Sequence, residues 1–193
     1  MMETKQTKQL YGDICPYTPW TAAVLDNVFR SIFQNPRKIV GDYIRPGMTV
    51  MDIGCGPGFF TFAMAKMVGP RGLVISIDVQ QEMLDRVKKK SEKPGLAGRI
   101  LFHLGTPGAI GIDKNADFIL SFYMVHEVPD RDAFFKEVFG LLNPGSRYLI
   151  VEPVIHVSQK AFDDTLEHAR RAGFMVEKQP KVLMSRAALL MKQ

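Results

Sequence analysis

Three glycines follow a short apolar run near residue 50 and precede a helical pattern. Gly54, Gly56 and Gly58 come directly after Val50-Met51-Asp52-Ile53. The apolar run is typical of a strand buried on both faces of a parallel sheet. The glycines allow a sharp turn and the close approach of a ligand to the main chain. Residues 59–67 then have helical period, so this strand, turn and helix predict a nucleotide-binding corner.

The residues around the glycines discriminate between two classes of nucleotide ligand. Dinucleotide sites have the pattern G-x-G-x-x-G, whose third glycine opens the helix beneath a pyrophosphate. Phe59 occupies the position of that third glycine, and its bulk disfavours such packing. Asp52, two residues before the first glycine, would repel a phosphate. Phe59 therefore disfavours a dinucleotide, and Asp52 favours a ligand that carries positive charge.

The stretch Met51-Asp52-Ile53-Gly54-Cys55-Gly56-Pro57-Gly58 resembles the signature of class I S-adenosylmethionine-dependent methyltransferases, whose cofactor has a positive sulfonium. In that family an acidic residue ends the second strand and binds the ribose hydroxyls, and Asp78 stands in this position. Met83-Leu84 resembles the pair that begins the following helix, with the methionine against the adenine. The resemblance covers roughly residues 36–193.

This resemblance implies S-adenosylmethionine as the cofactor and S-adenosylhomocysteine as the product. The residues that it assigns to cofactor binding are Asp52, Gly54, Cys55, Gly56, Gly58, Asp78, Val79, Met83, Thr106 and Phe122. Thr106 departs from the family pattern, because an acidic residue commonly holds the adenine amino group after the third strand. A threonine hydroxyl can still supply one hydrogen bond. Cys55 as a small filler and Met83 as a core residue are the alternative interpretations.

The loop at residues 122–130 resembles the loop after the fourth strand in the small-molecule branch of the family. Methyl transfer is an in-line displacement, so the protein aligns the acceptor, excludes water and, for some acceptors, removes a proton. His126 is the candidate general base, because histidine has an ordinary pKa of about 6.5. Tyr123 is the second candidate catalytic residue. Alternatively, His126 caps the loop or packs beneath the cofactor.

Strand and helix patterns alternate along the chain. Apolar runs predict strands at 50–53, 73–78, 99–104, 117–122 and 148–151, with helical patterns at 36–44, 59–67, 82–90, 132–142 and 161–172. Two further runs at 174–176 and 183–190 predict an antiparallel pair. The predicted fold is α/β: a Rossmann-like three-layer sandwich with a mostly parallel seven-stranded sheet, a C-terminal antiparallel strand pair and helices on both faces.

The N-terminal residues 1–35 are predicted to form a separate segment. Residues 21–33 have a helical pattern, and Tyr17 and Trp20 precede it in an aromatic, proline-bearing stretch. Because no large insertion follows the fifth strand, we expect this segment to act as a lid that excludes water from the acceptor site. The alternative is that the aromatic residues only attach the segment to the core.

The formal net charge of +5 raises the question of a nucleic-acid partner. Basic residues are spread along the chain, and the dense run Lys88-Lys89-Lys90 ends a predicted helix, where cations complement the helix dipole. Basic stripes interleaved with aromatic residues are missing, and Ser121-Phe122-Tyr123-Met124 lacks the prolines of base-modifying enzymes. A small-molecule methyl acceptor is therefore the predicted partner.

Cysteine usage and hydropathy bear on metal binding and location. Cys15 and Cys55 lie far apart and provide neither a metal-ligand spacing nor a disulfide framework. No window approaches about 18 apolar residues, the length that a membrane-spanning helix needs. We therefore expect a cytoplasmic methyltransferase without a metal or a membrane span. A non-catalytic cofactor-binding sensor or partner subunit, and an RNA methyltransferase, stay open as alternatives.

Overall fold

A seven-stranded sheet forms the centre of the structure. The computed structural model describes residues 34–92, 95–96 and 98–193. The strands are β1 Thr49–Ile53, β2 Leu73–Asp78, β3 Ile100–Leu104, β4 Ala116–Phe122, β5 Leu142–Pro153, β6 Met175–Lys178 and β7 Ser185–Met191. The helices are α1 Pro36–Val40, α2 Phe59–Val68, α3 Gln81–Ser91, α4 Arg131–Leu141 and α5 Gln159–Arg171, with a 3-10 turn at Val125–Glu127. The predicted helix at 21–33 and the predicted lid residues Tyr17 and Trp20 lie outside the described residues.

The strand order is β3-β2-β1-β4-β5-β7-β6. The strands from β3 to β5 are parallel to their neighbours, whereas β7 runs antiparallel to both β5 and β6. This confirms the predicted mostly parallel sheet with a C-terminal antiparallel pair. The order reverses between β1 and β4, and in α/β sheets ligands bind in the crevice at the carboxyl ends of strands at such a point.

Alternate strand residues pack into hydrophobic layers on the two faces of the sheet. One layer joins Phe60 and Met64 of α2 to Phe118 of β4. The opposite layer joins Phe135 of α4 and Phe162 of α5 to residues of the central strands. Burying one side chain of this kind contributes roughly 1.5–3 kcal/mol. Helices on both faces confirm the predicted three-layer sandwich.

Side-chain caps fix where α1, α4 and α5 begin, the last through Ser158. Asn35 accepts a hydrogen bond from the main-chain N–H of Arg37 at 3.0 Å, with Pro36 at the first helical position, as the sequence predicts. Asp130 accepts from the N–H of Ala133 at 2.9 Å and so sets the start of α4. A cap of this kind is worth about 1 kcal/mol. The second cap places α4 immediately after the loop that follows β4.

Strand β5 begins earlier than its apolar run predicts. The sequence indicates a strand at 148–151, whereas β5 spans Leu142–Pro153. The register between β4 and β5 shifts near the start of both strands, so residues 143–146 form an irregular extension. The N–H of Gly145 donates to the main-chain oxygen of Lys192 at 2.8 Å. This hydrogen bond to a residue distant along the chain accompanies the extension of β5 through the stretch around Pro144, whose sequence is typical of a turn.

The described helices run from 5 to 13 residues. Within the described residues, none has the length and apolar character that crossing a membrane requires.

Candidate active site

The glycine corner joins β1 to α2, as the sequence predicts. Gly54 has a φ of 73°, a left-handed conformation that side chains rarely adopt. A Cβ at this position would lie 2.6 Å from Cγ of Met124, so glycine is required here. The N–H of Gly56 donates to Oδ2 of Asp78 at 2.9 Å. This bond fastens the turn after β1 to the end of β2.

Asp78 closes β2 and lies buried on a cavity wall, with 7% of its surface exposed. Its Oδ1 accepts from the N–H of Gln80 at 3.0 Å. Burial raises the pKa of Asp78, and the main-chain N–H groups that donate to the carboxylate partly oppose this effect. Each carboxylate oxygen has two lone pairs and can accept further hydrogen bonds. A ligand with neighbouring hydroxyl groups would therefore stabilise the ionised form, which fits a ribose.

A buried hydroxyl network fixes the carboxylate of Asp52. Its Oδ2 accepts from the hydroxyl of Thr61 at 2.5 Å, and that hydroxyl lies 3.0 Å from Oγ of Ser76. All three residues are buried. A carboxylate in such surroundings attracts a positive group more strongly than one in water. The network fits the cationic ligand that the sequence predicts.

Three more predicted cofactor residues form an apolar part of the wall. Burial raises the pKa of the Cys55 thiol, and the negative charges of Asp78 and Asp52 raise it further. The thiol therefore stays protonated and fills space between the turn and α3, in contact with Leu84 and Val87 of the same small cluster. The two other wall residues are Val79 and Met83.

The loop after β3 forms a tight turn on the same wall. The N–H of Thr106 donates to the oxygen of Ala109 at 2.9 Å, and the N–H of Ala109 donates back at 3.2 Å. The hydroxyl of Thr106 lies 3.1 Å from the nitrogen and 3.2 Å from the oxygen of Ala109. It therefore contributes to the turn itself, and its predicted contact with adenine stays a prediction.

Phe122 and Tyr123 follow one another at the end of β4. Tyr123 has a φ of 64°, a left-handed conformation that costs about 1–2 kcal/mol for a residue with a side chain. Its ring centroid lies 4.3 Å from that of Phe122. Its hydroxyl lies 2.6 Å from Nε2 of Gln34 and 2.6 Å from Oγ of Ser185. These bonds hold the ring at the wall between β4 and β7.

His126 lies in the 3-10 turn after β4, beside the end of β5. Its Nδ1 is 2.5 Å from Oε2 of Glu152, and its main-chain N–H donates to Oε1 of the same carboxylate at 3.2 Å. A carboxylate accepts hydrogen bonds, so Nδ1 carries the proton of the neutral ring and Nε2 has the lone pair. The hydrogen bond with Glu152 raises the pKa of His126, against the opposing effect of burial.

Two further side chains surround this imidazole. Oε1 of Glu127 lies 3.9 Å from Nε2, and its negative charge also raises the pKa of His126. The ring of His156 stacks nearly parallel, with centroids 6.2 Å apart. His126 is thus a basic imidazole, and one quarter of its side chain is exposed.

These features border one cavity of about 1170 Å³. Ligand pockets commonly have roughly 300–1,000 Å³, so this one has room for a cofactor and a second molecule. The predicted site residues that line it are Asp52, Gly54, Cys55, Gly56, Asp78, Val79, Met83, Thr106, Phe122, Tyr123 and His126. Gly58 does not line it and instead precedes α2 as its N-terminal cap residue. In the described part of the chain, no three His, Cys, Asp or Glu side chains form a group that could hold a metal ion.

Sequence reasoning missed several residues of the site, and three of them hold its predicted residues or loops in place. Glu152 holds His126, Gln34 bonds to Tyr123, and Glu137 accepts hydrogen bonds from the loop after β3. The acidic residue at the end of an otherwise apolar run could have indicated Glu152. No sequence signal indicates the other two contacts, because each joins elements that are distant along the chain.

A doubly wound sheet with a glycine turn, a carboxylate closing the second strand and a cavity at the strand-order reversal defines a Rossmann-like nucleotide-cofactor protein. Residues 44–186 match the family described as the methyltransferase domain. The chain belongs to this family, among the class I S-adenosylmethionine-dependent methyltransferases, and S-adenosylmethionine is its cofactor.

Two individual relatives and a solved structure that this chain resembles are also described as methyltransferases. An arsenite methyltransferase of Halobacterium salinarum is 32% identical over 121 residues, which is 62% of this chain and 30% of the relative. A demethylmenaquinone methyltransferase of Lactococcus lactis is 32% identical over 130 residues, 65% of this chain and 50% of the relative. A crystal structure of a SAM-dependent methyltransferase from Aquifex aeolicus has a TM-score of 0.81 at 25% identity, covering 92% of this chain and all of that chain. The chain thus spans half or less of the length of these two curated relatives.

Proposed function

We propose that this protein transfers the methyl group of S-adenosylmethionine to a small organic acceptor by in-line displacement, with His126 as the general base. The observation that carries the proposal is the contact between His126 and Glu152 on the wall of the cavity that also holds the glycine corner. Membership in a methyltransferase family and relatives that methylate small molecules support the reaction type.

The cofactor end of the cavity has side chains suited to each part of the ligand. Asp78 would accept hydrogen bonds from the ribose hydroxyls, and the carboxylate of Asp52 would attract the positive amino end. Val79 and Met83 would flank the adenine, and Phe122 would close the wall on the β4 side. When bound, the cofactor supplies an electrophilic methyl group on a sulfonium. The protein's task is then to orient the acceptor and to take up a proton.

His126 would take that proton at Nε2, because Glu152 holds the proton of the neutral ring on Nδ1. Tyr123, whose ring is fixed by bonds to Gln34 and Ser185, would orient the acceptor next to it. Accepting a proton makes the imidazole positive, and the buried carboxylate of Glu152 stabilises that charge. In this proposal His126 accepts the proton, and Glu152 stabilises the positive charge that results.

A base is useful for an acceptor whose nucleophilic atom carries an acidic proton, such as a hydroxylated ring. Phe134, Ile155 and Val157 supply apolar wall in the cavity that His126 also lines, which fits a flat organic molecule. Arsenic chemistry would need a set of reactive thiols. The chain has two cysteines, and Cys55 is buried with a raised thiol pKa. We therefore favour an organic acceptor over arsenite.

The N-terminal residues 1–35 are proposed to cover the acceptor end of the cavity. Gln34, where the described chain begins, lines the cavity and bonds to Tyr123. Removal of residues 1–20, with Tyr17 and Trp20, should leave the affinity for S-adenosylhomocysteine within about twofold and lower turnover. Unchanged affinity together with unchanged turnover would contradict the lid. A cytoplasmic location is part of the proposal, because a free thiol suits a reducing compartment.

Radiolabelled methyl transfer to a panel of phenols, quinols and amines tests the function. We expect one acceptor class to become labelled, with kcat falling about 10²–10⁴-fold in His126→Gln. His168→Gln is the matched control and should keep wild-type turnover, because His168 also contacts a carboxylate, that of Asp132, but does not line the cavity. Binding of S-adenosylhomocysteine without turnover on the panel and on a cell extract would support a cofactor-binding sensor instead. Labelling of RNA would support the alternative that the methyl acceptor is RNA.

A further inference from the structure

Glu137 of α4 reaches across to the loop that follows β3. Its Oε2 accepts from the N–H of Ile110 at 2.8 Å, and its Oε1 accepts from the N–H of Gly111 at 2.6 Å. A carboxylate that accepts from two successive main-chain N–H groups makes two charge-assisted hydrogen bonds. Glu137 thus fixes this part of the loop in one position relative to α4.

The same loop is held from its other side by β3 and β2. Nε2 of His103 lies 2.7 Å from the carbonyl oxygen of Ile110, and because a carbonyl accepts, Nε2 carries the proton. The N–H of Gly105 donates to the main-chain oxygen of Asp78 at 3.0 Å. Ile110 is therefore held at both its N–H and its carbonyl, and the loop is tied directly to the residue proposed to bind the ribose.

The loop has few groups that could recognise an adenine edge. Asp113 is the only acidic residue between β3 and β4 and does not line the cavity, and the Thr106 hydroxyl already bonds to Ala109. Pro107 has no N–H to donate. Gly105, Pro107 and Gly108 line the cavity, whereas the carbonyls of Thr106 and Ala109 already accept hydrogen bonds within the turn. The carbonyls of Gly105, Pro107 and Gly108 are therefore the acceptors that the turn offers there.

We infer that a main-chain carbonyl of this loop, in place of an acidic side chain, binds the 6-amino group of the cofactor's adenine, and that Glu137 is the residue that positions it. The inference rests on the proposed function, because it concerns the cofactor end of the same cavity. A main-chain acceptor discriminates between a 6-amino and a 6-oxo purine only while its position is fixed, since two facing carbonyls repel. Glu137 lines the same cavity, but both of its carboxylate oxygens accept from the loop, so it determines base specificity by holding the carbonyl in position.

Calorimetric titration of Glu137→Gln with two ligands tests the inference. The ligands are S-adenosylhomocysteine and S-inosylhomocysteine, which has a 6-oxo group. We expect the wild type to prefer the adenine ligand by about tenfold or more, the effect of one well-placed hydrogen bond. In E137Q, one amide N–H2 replaces an acceptor, so this preference should fall to about twofold or less, with little change for the inosine ligand. Glu167→Gln, on the exposed face of α5, is the matched control.

Hydrogen exchange of the variant provides a second measurement that does not depend on ligand. The amides of Ile110 and Gly111 should exchange faster in E137Q, while the rest of the sheet keeps its protection. An equal loss of affinity for both ligands would indicate a merely structural role and overturn the inference. So would an unchanged preference. If the wild type binds neither ligand, the proposed function itself fails. If the wild type binds S-adenosylhomocysteine but E137Q keeps the same preference, only the inference about Glu137 fails.

Discussion

Glu152 accepts two hydrogen bonds from one residue, His126. The ring Nδ1 lies 2.5 Å from one carboxylate oxygen, and the main-chain N–H donates to the other at 3.2 Å. The first contact sets the ring orientation, and the second sets the position of the turn that carries it. Because Glu152 is 1% exposed, water does not compete for the carboxylate. The pair resembles the arrangement in which a base is oriented by a third group.

Glu152→Gln should move the acidic limb of the pH–rate profile to lower pH. Hydrogen bonding to Glu152 raises the pKa of His126 above its ordinary value of 6.5. His126 must be neutral to accept a proton, so turnover should fall as pH decreases through that raised pKa. The amide removes the charge, which lowers the pKa, and kcat at high pH should fall about tenfold because the ring tautomer is no longer fixed. A limb at the same pH in both proteins would contradict the proposed base.

The same pair predicts how stability depends on pH. The pKa of His126 is higher in the folded protein than in the unfolded chain, so the folded state binds the proton more tightly. The resulting stabilisation is complete below the unfolded value and is lost as pH rises through the folded pKa. Urea unfolding between pH 5 and 9 should show this decrease in the wild type and a smaller one in E152Q. Glu167→Gln should behave as the wild type, and identical curves for all three would contradict the expectation.

The sequence predicted the sheet and the cofactor corner because both depend on local pattern. Apolar runs gave β1, β2 and β4 to within about a residue, and Asp78 stands at the end of β2 as expected. The alternation of strand and helix patterns along the chain predicted that most of the strands run parallel. In each case the information lies in a short window of residues.

The contact between His126 and Glu152 could not be predicted in this way. It depends on the register of β4 against β5, in which Phe122 lies opposite Val151, so the turn that follows β4 meets Glu152 near the end of β5. A one-residue slip would point Glu152 to the other face of the sheet. The contacts of Glu137 with the loop after β3 likewise depend on how α4 packs. Long-range register and packing, rather than local propensity, therefore determine the parts of the site that sequence reasoning missed.

Thr61→Val should weaken both the fold and cofactor binding. Valine has nearly the same shape but removes the hydroxyl that donates to Asp52 at 2.5 Å, leaving a buried carboxylate with one donor fewer. The expected loss is about 1–3 kcal/mol of unfolding free energy. Thr165→Val is the matched control, because among the described residues its buried hydroxyl bonds only to the main-chain oxygen of Ala161, at 3.0 Å within α5.

Urea unfolding and calorimetry with S-adenosylhomocysteine distinguish the two threonine variants. The control should lose about 1 kcal/mol or less and keep its affinity, whereas T61V should lose both. Equal destabilisation with unchanged affinity in both would mean that the hydroxyl network does not orient Asp52 for a ligand.

Asp78→Asn should weaken S-adenosylhomocysteine binding and remove its dependence on acidic pH. Burial raises the pKa of Asp78 above 3.8 in the free protein, whereas hydroxyl donors from a ribose favour the ionised carboxylate. Affinity in the wild type should therefore decrease as pH falls through that raised pKa, because binding then requires release of a proton. The neutral amide has no proton to release, and loss of hydrogen bonds to a charged acceptor should lower affinity at pH 7 by at least about tenfold. Asp85→Asn, on the exposed face of α3, is the matched control, and calorimetry from pH 4.5 to 8 measures all three proteins. A wild-type decrease that persists unchanged in D78N would assign the titration to another group and remove Asp78 from the proposed ribose site.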